Sequence, residues 1–566
     1  MFHHLNHRAG HYLLLLIMGS AVTLPNLGVP SLWDIDEGHN AEAAREMLDS
    51  GNWLVPTFNF QLRDHKPPLL YWLQIAAYQQ FGVNEFSARL PSALAALMAM
   101  LLTYELGRLM FGSGAGLPAG LILASAAMFC AAAHFANPDS LLDALTVATF
   151  YAFWRGMPCS TGASRLNGKW MILASVCMAL AVLAKGPVGL VLPAAVIALY
   201  LVCSRQLGLL LDFRLGWAVA AFVLLAVPWY VLVSAETKGE FTRGFFLTHN
   251  FGRFLSPMEN HRGPIYYYLV AILLGFAPWS PFLVPAIFHG FRTRNDVDSG
   301  KPEGQETGRQ KEPWSASPTS FLASWIVVYL VFFSVSGTKL PNYILPIYPA
   351  AAIVTARFLD EWRRGMTKVP NWIVYAGLAG IGLVGLVAGA GMLLAGGVFD
   401  GPVPRGRRMP GLEVWSLSGL TPMGGAIFAA WLMRLGRKSG VIISLTATSV
   451  LFVGILAAWG TSQVDTFKAP RSLVEEAGAR QTDRDIRIAC YRFYQPSLVF
   501  YCRREVRVLE NEEQVLEFLQ TRLPIFLFVS AQEWSSLEAR VPGHFRRLAS
   551  HGDLYKGIEV VVITNQ

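Results

Sequence analysis

Apolar segments long enough to cross a lipid bilayer recur along most of this 566-residue chain. A spanning helix needs about 20 mostly apolar residues, because the hydrocarbon core contains no water to pair with backbone groups. About thirteen such segments precede residue 462 and predict an all-α polytopic membrane protein. They lie at 11–29, 86–110, 114–134, 138–155, 170–184, 187–203, 214–234, 265–290, 318–335, 342–357, 371–396, 410–433 and 440–460.

The composition agrees with a membrane protein. Hydrophobic residues make up 53% of the chain and charged residues 15%, whereas soluble domains carry about 25% charged residues. The net charge of +8 does not indicate nucleic acid binding, because Lys and Arg lie mostly in short loops between the apolar segments. Such loops face the cytoplasm. This rule predicts that residues 31–85, 235–264 and 462–566 lie on the outer side, and loop 291–317 on the cytoplasmic side.

Residues 462–566 differ from the membrane region 1–461 and predict a small α/β domain. The segments RIACYRFY, SLVFYC, REVRVLE, PIFLFVS and IEVVVIT are predicted strands, and EEQVLEFLQ and EWSSLEAR are predicted helices. On the outer side, Cys490 and Cys502 could form a disulfide. Two buried core thiols are the alternative. No residue of this domain is predicted to take part in catalysis.

A polar stretch at residues 31–91 separates two apolar segments and carries many charged side chains. Three acids, Asp34, Asp36 and Glu37, stand together near its start. Charged groups beside a membrane are costly unless they face water or a substrate. Hydrated loop carboxylates and catalytic carboxylates are therefore the two interpretations, and we favour the second. Short helices at the membrane surface are predicted at 40–50 and 67–81.

His65, Lys66, Pro67 and Pro68 form a second motif in this stretch. Two prolines stiffen the backbone and can open the next helix. Lys66 would then stand at a helix N-terminus, where backbone N–H groups and the helix dipole favour an anion. The motif predicts a lysine that binds phosphate; a lysine that reaches toward lipid head groups is the alternative.

Other charged motifs lie on the same predicted side. Asp139, in Asn-Pro-Asp-Ser, is either an acidic site residue or only a helix N-cap. Arg253 and Arg262 could bind a phosphate through paired hydrogen bonds. Further candidates are Lys185, Lys339 and Tyr343. This combination of cations and acids suits a lipid-linked phosphate with a polar head group.

Metal binding has a weaker basis in the sequence. His249 or His261, together with a carboxylate, could hold a divalent metal, although their spacing is not diagnostic. No nucleotide-binding motif occurs in a suitable context. No other cofactor is indicated.

Seven motifs, in order along residues 30–360, resemble the lipid-phosphate-sugar-dependent glycosyltransferases of the GT-C membrane class. They are DIDEGHNAEAAREMLDSGNWLVP, HKPPLLYW, ANPDSLLDA, LAKGPVGLVLP, HNFGRF, HRGPIYYYL and SGTKLPNYILPIYPA. Within this class the chain is most similar to bacterial 4-amino-4-deoxy-L-arabinose transferases, with protein O-mannosyltransferases as more distant relatives. The resemblance implies the GT-C fold, a C-terminal periplasmic domain, and a bacterial inner-membrane location with the active site facing the periplasm.

The resemblance also implies an activity. The expected enzyme moves 4-amino-4-deoxy-L-arabinose from undecaprenyl phosphate to a lipid A phosphate, and it works among membrane lipids as a monomer. A protein O-glycosyltransferase with a Ser or Thr acceptor is the alternative. A transporter of lipid-linked sugars is a third, weaker interpretation, because no internal repeat of the kind common in transporters is found.

The motifs and the resemblance together give the candidate site. Asp36 matches the essential acid of the family's first periplasmic loop, Lys66 matches the residue that contacts the carrier phosphate, and Asp139 matches an acid at the outer edge of the cavity. Arg253 and Tyr343 resemble parts of the donor site. The expected catalytic residues are Asp36, Glu37 and Asp139, and the expected substrate-binding residues are Asp34, His65, Lys66, Lys185, Arg253, Arg262, Lys339 and Tyr343.

Overall fold

The structure is a computed structural model. It describes residues 2–158, 165–257, 261–298, 317–366, 369–399, 401, 403–481, 483–541 and 545–566. Most of the predicted cytoplasmic loop 291–317 lies outside the described residues. A helical region is followed by a five-stranded mixed sheet with its own helices.

Helices form most of the chain up to residue 477. The α-helices are Phe2–Thr23, Asp36–Ser50, Leu69–Phe81, Glu85–Phe111, Ser113–Ala124, Ala127–Ala133, Asp139–Gly156, Gly168–Lys185, Val188–Cys203, Arg214–Glu236, Glu240–Arg243, Arg253–Leu255, Tyr267–Gly275, Ser280–Asp298, Pro318–Val335, Tyr348–Arg364, Asn371–Gly396, Leu420–Arg434, Lys438–Ile455, Thr461–Asp465 and Ala469–Ala477. Short 3-10 or π-helical segments join several of them at Leu207–Leu211, Gly244–Gly252, Pro341–Ile347, Arg405–Arg407, Leu412–Gly419 and Leu456–Gly460.

Within the described residues, seven helices are long and apolar enough to cross a membrane. Two bent pairs raise the number to nine if each pair is one span: Ser113–Ala124 with Ala127–Ala133, bent by 64°, and Tyr267–Gly275 with Ser280–Gly290, bent by 116°. The predicted all-α membrane fold is confirmed. The seven helices are Glu85–Phe111, Gly168–Lys185, Arg214–Glu236, Pro318–Val335, Asn371–Gly396, Leu412–Arg434 and Lys438–Asp465.

Each of the predicted apolar segments coincides with a helix or a bent helix pair, but length and hydropathy support fewer than thirteen spans. Two cases give the reason. Val188–Cys203 has 16 residues, which is short for a bilayer core about 30 Å thick at 1.5 Å per residue. Asp139–Gly156 carries two Asp residues and one Arg, which lower its apolar character.

The bundle has an aromatic core and a lipid-compatible exterior. Trp325 packs against Phe150 with ring centroids 4.4 Å apart, and the buried Trp279 indole donates a hydrogen bond to Ser125 Oγ at 2.9 Å. Helix Arg214–Glu236 exposes large apolar side chains, among them Leu224 at 75%. Such a surface is stable only in contact with lipid or another apolar partner.

The predicted short helices are present, and Asp36–Ser50 packs inside the protein. Most of its residues are buried. Its Ala41, Ala44 and Met47 belong to one apolar cluster with Leu498 and Cys502 of the C-terminal region. The buried Glu42–Arg45 ion pair satisfies two of the charged groups of this helix, which lowers the cost of burying it.

The C-terminal region contains the strands Arg487–Tyr491, Val506–Leu509, Ile525–Ser530, Arg546–Asp553 and Ile558–Thr564. Arg487–Tyr491 pairs in parallel with both Val506–Leu509 and Ile525–Ser530. Ile558–Thr564 pairs antiparallel with Ile525–Ser530 and with the edge strand Arg546–Asp553. The helices of this region are Pro496–Cys502, Glu512–Leu519 and Ala531–Glu538.

The strand predicted at SLVFYC is wrong, because this segment is the helix Pro496–Cys502. All seven of its residues are buried, and periodicity cannot separate a short buried strand from a buried helix turn. The edge strand Arg546–Asp553 was not predicted, since its sequence is mostly polar. Cys490 and Cys502 are buried free thiols, which agrees with the core-thiol alternative.

Candidate active site

A cavity of about 390 Å³ brings together five separate parts of the chain: Leu142 and residues within 34–66, 185–188, 245–261 and 332–343. The predicted site residues that line it are Asp34, Asp36, His65, Lys66, Lys185, Arg253 and Tyr343. Its apolar lining includes Leu142, Val188, Phe332 and Phe333. A cavity that is charged in one part and apolar in another suits a polar head group on an apolar chain.

Asp36 is the first residue of helix Asp36–Ser50, at the edge of the cavity. Burial opposes ionisation of its carboxyl group, but the positive charges of Lys66 and Arg63 outweigh burial and hold the pKa of Asp36 below its usual value. The side chain is therefore a carboxylate at neutral pH. Arg63 was not among the predicted site residues; it is fixed by donating to Tyr71 Oη at 3.1 Å and to Asn40 Oδ1 at 3.3 Å.

Lys66 stands just before the helix Leu69–Phe81, whose N-cap is Pro68. The prolines thus place the lysine at a helix entrance, as predicted. Burial lowers the pKa of its ammonium group to about 8, and the Asp36 carboxylate acts in the opposite direction. The group is protonated at neutral pH and faces a cavity that can receive an anion.

Two further cations, Lys185 and Arg253, line the cavity in addition to Lys66. Lys185 ends the helix Gly168–Lys185 and forms an ion pair with Asp139. The other oxygen of Asp139 accepts a hydrogen bond from Asn342 Nδ2 at 2.7 Å. Arg253 Nη1 donates to Tyr343 Oη at 3.3 Å, and Lys185 Nζ lies 5.1 Å from the centre of the Tyr343 ring.

The N-cap interpretation of Asp139 is wrong, and its expected catalytic role stays a prediction. Pro138, not Asp139, occupies the N-cap position of its helix. Asp139 is buried, and both of its carboxylate oxygens are engaged, so it orients Lys185 rather than facing the cavity itself.

Three further predicted residues do not join the cavity lining. Glu37 is buried and accepts two hydrogen bonds from Arg89, at 2.9 and 2.8 Å, and one each from the backbone N–H groups of Trp33 and Ala136. These four bonds give Glu37 a structural role in place of the predicted catalytic one. Lys339 donates to backbone carbonyls at the C-terminal end of helix Pro318–Val335, those of Ser334 and of the C-cap Ser336.

Arg262 is exposed and does not line the cavity. Lys339 and Arg262 therefore do not line the described cavity, and their contact with a substrate stays a prediction. Lys339 binds the helix end because the last carbonyls of a helix have no partner within it and attract a nearby ammonium group.

One group of side chains in the described residues could hold a metal ion: Asp64, His65 and His249, whose ligand atoms lie within 4.8 Å of one another. Asp64 Oδ1 lies 3.1 Å from His65 Nδ1 and 3.2 Å from His249 Nε2. Burial lowers the pKa of His65 to about 2 and also lowers that of His249, so both rings are neutral, as metal ligation requires. The predicted pairing of His249 with a carboxylate thus has a partner in Asp64.

Comparison with known proteins shows the family to which the chain belongs. Residues 10–239 match the family model for dolichyl-phosphate-mannose-protein mannosyltransferase. The chain is 30% identical to the undecaprenyl phosphate-α-4-amino-4-deoxy-L-arabinose arabinosyl transferase of Pseudomonas savastanoi pv. phaseolicola, over 68% of this chain and 68% of that protein. The chain belongs to this family of arabinosyl transferases. Alignments with five other relatives cover between 56% and 66% of those relatives' length.

Solved structures of similar architecture support the fold of this arabinosyl transferase family member. The crystal structure of ArnT from Cupriavidus metallidurans bound to undecaprenyl phosphate is 23% identical, with a TM-score of 0.80 and 98% of each chain covered. The archaeal oligosaccharyltransferase AglB from Archaeoglobus fulgidus is 11% identical, with a TM-score of 0.52, over 92% of this chain and 69% of that one. These likenesses confirm the expected GT-C fold.

Proposed function

We propose that this protein transfers 4-amino-4-deoxy-L-arabinose from undecaprenyl phosphate to a phosphate group of lipid A. The donor and the sugar are those in the names of the similar arabinosyl transferases. The observation that carries the proposal is the meeting of Lys66, Lys185 and Arg253 with the Asp36 carboxylate in one partly apolar cavity. The cations suit the lipid phosphate, the Asp36 carboxylate suits the amino sugar, and the apolar lining suits the lipid chain.

The reaction breaks the bond between the anomeric carbon and the carrier phosphate oxygen, and an oxygen of the acceptor forms the new bond to that carbon. The leaving group is a phosphate monoester whose negative charge grows as the bond breaks. Lys66 and Arg253 are placed to stabilise this charge, and Tyr343 orients Arg253. Fixed charges in a site sheltered from water are the most effective means of such stabilisation.

The charge state of Asp36 favours a phosphate acceptor over a hydroxyl. A general base works best when its pKa is near the working pH, whereas the pKa of Asp36 is held below its usual value. A phosphate monoester has its second pKa near 6 and is already nucleophilic at neutral pH, so no base is needed. Asp36 then orients the donor sugar, whose amino group is a suitable cation for its carboxylate.

A protein Ser or Thr acceptor is the second candidate, and the match to the mannosyltransferase family model favours it. That reaction has to remove a hydroxyl proton at the site. The lowered pKa of Asp36 weighs for the lipid A phosphate, whose transfer needs no base.

The proposal also includes location. Lys and Arg in the loops at the opposite ends of the spans favour a cytoplasmic position for those loops. The cavity and residues 462–566 then face the periplasm, from a multi-pass protein of the bacterial inner membrane that works as a monomer. With this topology the cavity opens toward the periplasmic leaflet of the inner membrane, where it could bind a lipid A acceptor.

The donor requirement tests the proposal. Purified protein in lipid nanodiscs is incubated with lipid A and either undecaprenyl phosphate-linked 4-amino-4-deoxy-L-arabinose or a nucleotide-linked sugar, and lipid A is analysed by mass spectrometry. We expect sugar addition only from the lipid-linked donor, since the apolar lining and the clustered cations match its chain and its phosphate. Transfer from the nucleotide sugar, or no transfer from the lipid-linked donor, would refute the proposal.

A further inference from the structure

We infer that the C-terminal region is part of the working site: Ser497 and Tyr555 are positioning residues that hold the loop carrying Asp36, through direct hydrogen bonds to Asp34. This inference rests on the proposed function and adds residues that no sequence motif indicated. The two ends of each contact are far apart in the chain; Asp34 and Ser497 are 463 positions apart.

Both carboxylate oxygens and the backbone N–H of Asp34 form hydrogen bonds with the C-terminal region. The Ser497 backbone N–H donates to Asp34 Oδ1 at 2.8 Å, and Ser497 Oγ donates to Asp34 Oδ2 at 2.5 Å. The Asp34 backbone N–H donates to Tyr555 Oη at 3.0 Å. Side chain and backbone of one residue are thus fixed together, two positions before Asp36.

Neighbouring loop residues contact both the end of the span Lys438–Asp465 and the C-terminal region that follows it. Ser31 donates through its N–H and its hydroxyl to Asp465, at 2.8 and 2.5 Å. Lys468 Nζ donates to the Ser31 carbonyl at 2.6 Å and lies 4.2 Å from the centre of the Trp33 ring. The Leu32 N–H donates to a hydroxyl of the same region, that of Tyr501, at 2.7 Å.

The opposite side of this loop is fixed by the membrane region. Arg89, which pairs with Glu37, also donates to the backbone carbonyls of Leu27, Pro30 and Ser31, at 2.7 to 2.8 Å. The loop is therefore held between a helix of the bundle and the C-terminal region. Both sets of contacts therefore fix the position of the loop that carries Asp36.

A close backbone approach shows how tightly the C-terminal region docks here. A Cβ atom on Gly38 would lie 2.4 Å from the Ser497 backbone nitrogen and 2.8 Å from the Pro496 carbonyl carbon. Only glycine fits at this contact without a shift of backbone. The helix that begins with Asp36 thus lies directly against the residue that binds Asp34.

Loss of the contacts to Asp34 should affect the rate of transfer more than the binding of the donor. A displacement of about 1 Å at a reacting group can cost on the order of 100-fold in rate. Lys66 and Arg253, which are expected to bind the carrier phosphate, make none of these contacts with the C-terminal region. Loosening the Asp34 contacts should therefore lower kcat while the KM for the lipid-linked donor changes little.

The test measures kcat and donor KM in the full-length protein for Ser497→Ala and for Tyr555→Phe, which removes only the hydroxyl. We expect kcat to fall about 10- to 100-fold for Ser497→Ala and by a smaller factor for Tyr555→Phe, with donor KM within about twofold. Ser535→Ala is the matched control, because Ser535 is an exposed serine of the same region that bonds only its own helix; it should keep wild-type values.

A double-mutant cycle shows whether Ser497 acts through Asp34. In an Asp34→Ala background, Ser497→Ala should cost no further activity, because the contact is already lost. Wild-type kcat in both Ser497→Ala and Tyr555→Phe, a full additional loss in the double variant, or a loss confined to donor KM would each overturn the inference. If Ser497→Ala fails to fold, Tyr555→Phe decides on the same criteria. Absence of transfer by the wild type would instead remove the proposed function, and this inference with it.

Discussion

Replacing Asp36 with Asn should lower kcat by about 100- to 1000-fold, the usual cost of removing one electrostatic contact to a transition state. The substitution keeps the size of the side chain and removes the negative charge that Lys66 and Arg63 stabilise at this edge of the cavity. The donor KM should rise less than kcat falls, because the carrier phosphate is expected to bind to cations. Steady-state kinetics with the lipid-linked donor and lipid A measure both values.

The pH dependence of this variant separates positioning from base catalysis. With a phosphate acceptor, which is ionised above its second pKa near 6, raising the pH from about 7 to 9 should not restore the rate. With a hydroxyl acceptor, the rate of the variant should rise with pH as hydroxide replaces the missing base. Asp49→Asn is the control: it makes the same change on the same helix, at a carboxylate that is 59% exposed, and should leave kcat unchanged.

Lys66→Ala should weaken binding of undecaprenyl phosphate about 10- to 100-fold, because a hydrogen bond to a charged group is worth about 1.5–3 kcal/mol. The loss in kcat should be larger still, since the leaving phosphate gains charge in the transition state. Binding is measured by displacement of labelled undecaprenyl phosphate from the purified protein, and transfer by the lipid A assay.

Two further variants test whether the effect depends on a cation at this position. Lys66→Arg keeps a cation at the helix entrance and should retain more activity than Lys66→Ala. Lys238→Gln removes an exposed cation from the loop that follows helix Arg214–Glu236, away from the cavity lining, and should behave as wild type. Wild-type binding and turnover in a folded Lys66→Ala protein would exclude Lys66 from the site.

Local sequence rules were sufficient for part of this site. Lys66 was predicted from the prolines that follow it, and the structure places it before a helix that begins at Leu69. The succession of apolar segments predicted the membrane fold, because the bilayer imposes length and apolarity on each spanning helix. Such features depend on neighbours along the chain and can be read without knowledge of tertiary contacts.

Other features depend on contacts that the sequence does not reveal. Asp36 and Glu37 are adjacent acids, but about 100° separates consecutive side chains on a helix, so one faces the cavity and the other meets Arg89. Sequence alone could not decide which. The contact of Ser497 with Asp34 joins residues from opposite ends of the chain, and no local pattern marked Ser497 as a part of the site.

The central claim concerns the acceptor, and a direct comparison of acceptors tests it. Purified protein is given undecaprenyl phosphate-linked 4-amino-4-deoxy-L-arabinose together with one of three acceptors: phosphorylated lipid A, lipid A from which the phosphates have been removed, or a peptide rich in Ser and Thr. Products are identified by mass spectrometry. The account predicts sugar addition to phosphorylated lipid A alone; a glycosylated peptide beside unmodified lipid A would contradict it.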